Sequence, residues 1–172
     1  MLARAPMPHY SGHVGGARGE TAVDADVAAF LAAGVAAVVA SRDAGLRAEI
    51  ARAWGPELAA DGCVLRICVA AAAGSKMLVN LEQHGAVAIT FTLPTTYRSV
   101  QIKGVVRELR EPTQEELERV VRHIEAFLDE AERVGVPRRL GARFAEPPFS
   151  ALTIEIRELY DQTPGAGAGR SL

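Results

Sequence analysis

Apolar and polar positions alternate with two different periods along this chain, and the places where the period changes mark its elements. From Asp24 the run DADVAAFLAA reads as a short helix, with Asp24 as its N-cap and Gly34 as its stop. VAAVVAS follows as a first strand, Asp43 to Gly45 makes a turn, and residues 46–58 read as a second strand ending near Gly55 and Pro56. Asp61-Gly62 marks a hairpin into a third strand, CVLRICVA. An alanine run then breaks at Gly74-Ser75-Lys76, where a helical pattern begins that Gly85 closes. Two further strands follow, AVAITFTL and the long YRSVQIKGVVREL.

Thr113 and Glu116 stand at capping-box spacing behind Pro112. Leu117, Val120, Val121, Ile124, Phe127, Leu128, Ala131 and Val134 then recur at helical spacing, which predicts the longest helix, ended by Gly135 and Pro137. The last strand, ALTIEIREL, alternates Leu152, Ile154 and Ile156 with Thr153, Glu155 and Arg157. Six short strands joined mostly by hairpins predict a mainly β, α+β fold: a small six-stranded antiparallel barrel decorated by helices. A doubly wound parallel sheet fits less well, because only a few residues join strands two and three. The Pro- and Gly-rich residues 1–22 read as a flexible arm, 23–161 as the domain, and 162–172 as a Gly-rich tail.

Composition narrows the function. The chain has 172 residues, enough for one core, and a formal net charge of −2, which advertises no basic surface for nucleic acid. The longest uncharged apolar segment, Val27 to Ala40, is too short to span a bilayer, and no signal peptide precedes it, so a cytoplasmic protein without membrane contact is expected. Cys63 and Cys68 fall on opposite faces of one strand and read as unpaired structural thiols. His9 and His13 lie in the arm, where spacing fixes no geometry, so no metal site is expected. His84 near a helix end and His123 among charged helix residues read as structural or solvated.

One local placement runs against the electrostatics. A helix N-terminus carries about half a positive charge, and a cation in the first turn is disfavoured by roughly 0.3–1 kcal/mol, yet Lys76 sits there. A bound anion reverses that, because free backbone N–H groups, the Ser75 hydroxyl and the ammonium can converge on one phosphate while Gly74 lets the backbone approach. The alternative is that Ser75 is only an N-cap and Lys76 a solvated side chain. On the fifth strand Tyr97, Ser99, Gln101 and Lys103 share a polar face and Val100 and Ile102 the other, as either a binding face or an ordinary solvated one.

Taken in order, VAAVVASRDAGLRAEIARAWG, GSKMLVNLEQHGAVAITF, PTTYRSVQIKG and ELYDQTPGAGAG resemble the pyridoxamine 5'-phosphate oxidase-like family, the FMN-binding split barrels, over roughly residues 24–165. The resemblance implies a homodimer with FMN shared across its interface and the phosphate near Ser75 and Lys76. It further implies that the backbone of Arg52, Ala53 and Trp54 lies along the ring, with Trp54 as a wall or as core, and that Arg98, Ser99 and Gln101 serve the cofactor. In the oxidase proper an arginine and lysine pair occupies the helix mouth, so Ser75 replaces one cation. The second-strand arginine and lysine fall near Ile50 and Gly55, with only Arg52 nearby, and the C-terminal arginine and histidine for the pyridoxine substrate are absent.

The expectation is therefore an FMN-dependent oxidoreductase acting on a small-molecule substrate, with NADH or NADPH as a candidate reductant, and not a true pyridoxamine phosphate oxidase. The alternatives are a non-catalytic protein that binds or senses flavin, deazaflavin or haem, and a barrel that has lost its cofactor.

Overall fold

A computed structural model describes residues 22–141 and 148–172. Helix α1 (Ala25–Ala32) leads into β1 (Ala36–Arg42), β2 (Ala48–Leu58) and β3 (Val64–Ala70). Helix α2 (Lys76–His84), strands β4 (Ala86–Thr92) and β5 (Ser99–Arg110), and helices α3 (Gln114–Arg133) and α4 (Arg138–Gly141) follow. Strand β6 (Phe149–Asp161) and the two-residue β7 (Arg170–Ser171) complete the order. All pairings are antiparallel in the order β3-β2-β1-β4-β5-β6, and β3 pairs with β6 to close a six-stranded barrel.

The caps follow the local chemistry. Asp24 Oδ1 accepts the Val27 N–H at 2.8 Å, and Thr113 and Glu116 form the full capping box of α3. Gly85 takes φ 66° at the end of α2, a left-handed cap without Cβ strain. Gly34 departs from its expected role: Ala33 caps α1, and Gly34 lies where a Cβ would stand 2.2 Å from the Ala126 carbonyl oxygen. The glycine is there so that α3 can approach. Leu46, expected inside the second strand, sits in the preceding turn with φ 63°. The tail adds β7, which the sequence pattern did not suggest: it folds back so that Arg170 pairs with Asp161 and Ser171 with Tyr160.

Two apolar clusters result from the two faces of the strands. The barrel interior holds Val39, Ala53, Leu65, Ile67, Ile89, Phe91, Ile102 and Ile154, with Phe30 and Leu31 of α1 and Leu78 and Leu81 of α2 packed into it. A second cluster lies outside the barrel, where α3 sets Val120, Phe127, Leu128 and Ala131 against Trp54, Cys68 and Ala151. Both cysteines are free thiols, and burial pushes the Cys68 thiol up to about 11. Cys63 stands one residue before β3, in the hairpin, where its Sγ lies 3.5 Å from the Asp61 carbonyl oxygen. Among the described residues no helix is long and apolar enough to cross a membrane.

Candidate functional site

The mouth of α2 is built from a short turn. The Ser75 N–H donates to the Ala72 carbonyl at 3.0 Å, and Gly74 takes φ 78° with open space where its Cβ would be. Ser75 is extended, and its Oγ accepts the Leu78 N–H at 3.4 Å. That satisfies one of the backbone donors that every helix start leaves without an intrahelical partner. Because a hydroxyl can donate while it accepts, capping does not consume the Ser75 proton. Lys76 occupies the first helical position with its side chain 85% exposed, and its Nζ lies 3.8 Å from Glu49 Oε1 of β2.

Asn80, one turn along α2, was not picked out from the sequence. It is buried and donates from Nδ2 to the equally buried Ser41 Oγ of β1 at 3.3 Å, which fastens the helix to the barrel. Its signal was present: a polar residue among Met77, Leu78 and Leu81 on the apolar face of a short helix.

On β2 the pleat separates the three predicted ring-contacting residues. Ala53 points into the barrel and is fully buried, whereas Trp54 points outward into the second cluster at 1% exposure, edge-on to His123 and Phe127. Trp54 is therefore core, and of its two sequence readings the pocket wall is the one set aside. Arg52 also faces outward, opposite Val38 of β1.

Around β5 the residues divide again. Arg98 lies before the strand, pairs with Asp26 of α1, and sets its guanidinium 4.7 Å from the centre of the Phe30 ring. Ser99 is buried, donates to the Tyr97 carbonyl at 3.0 Å and bonds Thr92 Oγ1 at 2.9 Å, so it faces its own strand neighbours. Tyr97, expected on the polar strand face, sits in the turn at φ 58°. Gln101 donates from Nε2 to Thr90 Oγ1 at 3.1 Å, and Lys103 lies 3.5 Å from Glu158 and 4.4 Å from the Tyr160 ring centre.

Strand register places Arg52, Val38, Thr90, Gln101 and Tyr160 in one row across the outer face of the sheet. Ile50, Ala40, Ala88, Lys103 and Glu158 form the next row. This face joins Arg52 to Gln101, whereas Glu49, opposite the buried Ser41, lies on the other face of β2, so Lys76 is reached from that side. The outer face does not include Arg98, which α1 holds. Among the described residues no three His, Cys, Asp or Glu side chains gather as a metal-ligand group, and His9 and His13 lie outside those residues.

The barrel matches solved structures closely enough to define its fold. Over 86% of this chain and 99% of the other, it superposes on the HupZ protein of Group A Streptococcus with TM-score 0.51 at 18% identity. A Lactobacillus delbrueckii protein, provisionally described as a pyridoxamine 5'-phosphate oxidase, matches over 81% of this chain and 93% of its own at TM-score 0.51 and 10% identity. The chain has the split-barrel fold of the pyridoxamine 5'-phosphate oxidase-like proteins. A pyridoxamine 5'-phosphate oxidase-related, FMN-binding protein of Nostoc punctiforme is similar at TM-score 0.49 and 15% identity, covering 87% of this chain and 89% of its own. No protein-family model and no curated protein sequence matches this split barrel.

Proposed function

We propose that this split barrel binds FMN and works as an FMN-dependent oxidoreductase of the cytoplasm, with NADH or NADPH as reductant and a small molecule as substrate. Residues 23–161 would form the cofactor-binding unit. The observation that carries the reading is the mouth of α2, where an exposed ammonium stands over a helix start with open space beside Gly74. The residues present fit the phosphate end of the cofactor. Lys76 would neutralise it, the Ser75 hydroxyl would donate to it, and the N–H groups of Lys76 and Met77 would point at it. Toward the ring, Arg52 and Gln101 offer polar side chains, while Ala53 and Trp54 offer only backbone. Bound FMN supplies hydride-transfer chemistry, and the protein's part is binding, orientation and exclusion of water.

Lys76→Ala should weaken FMN about ten- to a hundredfold, from the 1.5–3 kcal/mol typical of a hydrogen bond to a charged group, and leave riboflavin affinity unchanged. Titration of each flavin by fluorescence checks this. Equal affinity of the variant and the wild type for FMN removes the phosphate assignment. Apoprotein stability should barely change, because the Lys76 side chain is mostly solvated.

A second reading is a non-catalytic carrier or sensor of flavin, deazaflavin or haem. The sparse positive charge favours it, since Lys76 is also engaged by Glu49. Bleaching of the bound flavin by NADH or NADPH and its reoxidation in air supports the enzyme; a flavin that no nicotinamide reduces supports the carrier.

We further propose that a second copy covers the outer face of β2, β1 and β4, where Ile50 is 70% exposed beside the small residues Ala40 and Ala88. Ile50→Arg should convert a dimer into a monomer in light scattering. A wild-type protein that is already monomeric at micromolar concentration excludes this interface.

A further inference from the structure

Helix α3 touches the barrel through a cluster of its own, separate from the interior, and one hydrogen bond in that cluster depends on a proton. The Gly55 N–H donates to His123 Nδ1 at 3.2 Å, and the Gly55 carbonyl accepts from Arg119 Nε at 3.0 Å. Two residues one turn apart on α3 thus grip both polar groups of one residue on β2. Gly55 takes φ 64° beside the irregularity between Trp54 and Glu57. A Cβ there would stand 3.1 Å from the Val120 nitrogen, so the close approach also requires glycine. Since Nδ1 accepts, the neutral ring carries its proton on Nε2, which is buried and makes no hydrogen bond.

We infer that His123 is a proton-operated latch: its neutral Nδ1 fastens α3 to β2, and protonation releases the helix from a barrel that stays folded. An imidazolium has no acceptor left for Gly55 and stands beside the Arg119 guanidinium. The charged groups of this interface offer it little compensation. On β2, Glu57 is shared by Arg119 at 3.2 Å and by Arg66 of β3 at 3.7 Å. On α3, Glu116 is taken by Arg110 of β5. The remaining neighbours, Cys68 of β3 and Ala151 and Phe149 of β6, are uncharged. Burial accordingly lowers the His123 pKa from 6.5 to about 4. The barrel survives release because its interior holds together through α1, α2 and the strands without any residue of α3.

Trp54 is the only tryptophan and touches His123 edge-on, so it reports the event. Between pH 7 and pH 4 its emission should shift to the red. The protection factors of the α3 amides, corrected for the slower intrinsic exchange at low pH, should fall by about two orders of magnitude, the fold-change that such a pKa difference implies. Amides of β1, β4 and β5 should stay protected. His123→Asn offers an acceptor that does not titrate, and it should show neither change in that range. An Asn variant that titrates like the wild type, or strands that open in step with α3, would overturn the latch. Should the variant not fold, the ring titration of His123 followed by NMR decides: its midpoint coincides with that of α3 exchange if the latch is real and differs if it is not.

Discussion

Gly34→Ala is expected to cost about 3 kcal/mol or more, at the top of the range for overpacking a well-filled interface. The added Cβ would stand 2.2 Å from the Ala126 oxygen, 2.5 Å from its carbonyl carbon and 2.8 Å from the Phe127 nitrogen. All three are backbone atoms inside α3, so no side chain can rotate away. Relief requires the helix to lift, which uncovers Phe127 and Trp54. Gly74→Ala is the natural control: its Cβ would meet nothing within 4 Å, and its φ of 78° sets a purely conformational cost of about 1 kcal/mol. Urea unfolding at constant m-value compares the two. A Gly34 variant no less stable than the Gly74 variant would mean that α3 docks more loosely than the contact implies.

Gly34 also shows where sequence reasoning stops. A glycine after an alanine-rich helical run carries the local signature of a helix stop, whereas its reason for being glycine is a helix more than ninety residues away in the chain. Features set by neighbours in sequence were legible: the Ser75 and Gly85 ends of α2, the capping box of α3, and the alternation that gives six barrel strands. Strand β7 was not, because two residues pair with β6 only once the Gly-rich tail has folded back. His123 fell between these cases. Its charged sequence neighbours left a structural and a solvated reading open, and its place three residues after Val120 and four before Phe127, on the buried stripe of the helix, decides for the structural one.

The candidate site divides in the same way. Ser75 and Lys76 were readable because a helix start is a local event, and Gln101 because strand alternation alone puts it on the outer face. Arg98 was not, since the Asp26 and Phe30 that hold it belong to a helix some seventy residues earlier. The resemblance puts the backbone of Arg52, Ala53 and Trp54 along the ring, and the pleat sends the Ala53 and Trp54 side chains to opposite faces. Function borne by side chains on one sheet face follows the period of two, not the run of letters.

Glu116→Ala should destabilise the protein by about 2–4 kcal/mol, because it removes one partner of an ion pair that the fold has largely desolvated. Glu116 is 6% exposed and accepts from Arg110 Nη1 at 2.7 Å, Arg110 Nη2 at 2.8 Å and the Thr113 N–H at 2.8 Å. Its loss would open the capping box and leave Arg110 with Glu108 at 3.5 Å and the Glu111 carbonyl at 3.0 Å, so the cost stays below that of a wholly buried charge. Arg110 holds the Glu116 carboxyl down, from 4.5 to about 2. Its stabilising contribution is therefore complete above pH 4.5 and disappears as pH falls through 2. The contribution of His123, also a group with a lowered pKa, is complete above pH 6.5 and disappears as pH falls through 4. Melting temperature against pH should then fall in two stages. Glu116→Gln should flatten the lower stage and keep the upper one, and His123→Asn should do the reverse. Asp43 and Asp161, half-buried carboxylates whose pKa values are also lowered, by hydrogen bonds from Arg47 and Thr163 respectively, add to the loss in acid, so the variant comparison and not the wild-type curve assigns the lower stage. A Glu116→Gln protein that loses stability below pH 4.5 as steeply as the wild type would show that Arg110 does not hold α3 to β5 through this carboxylate.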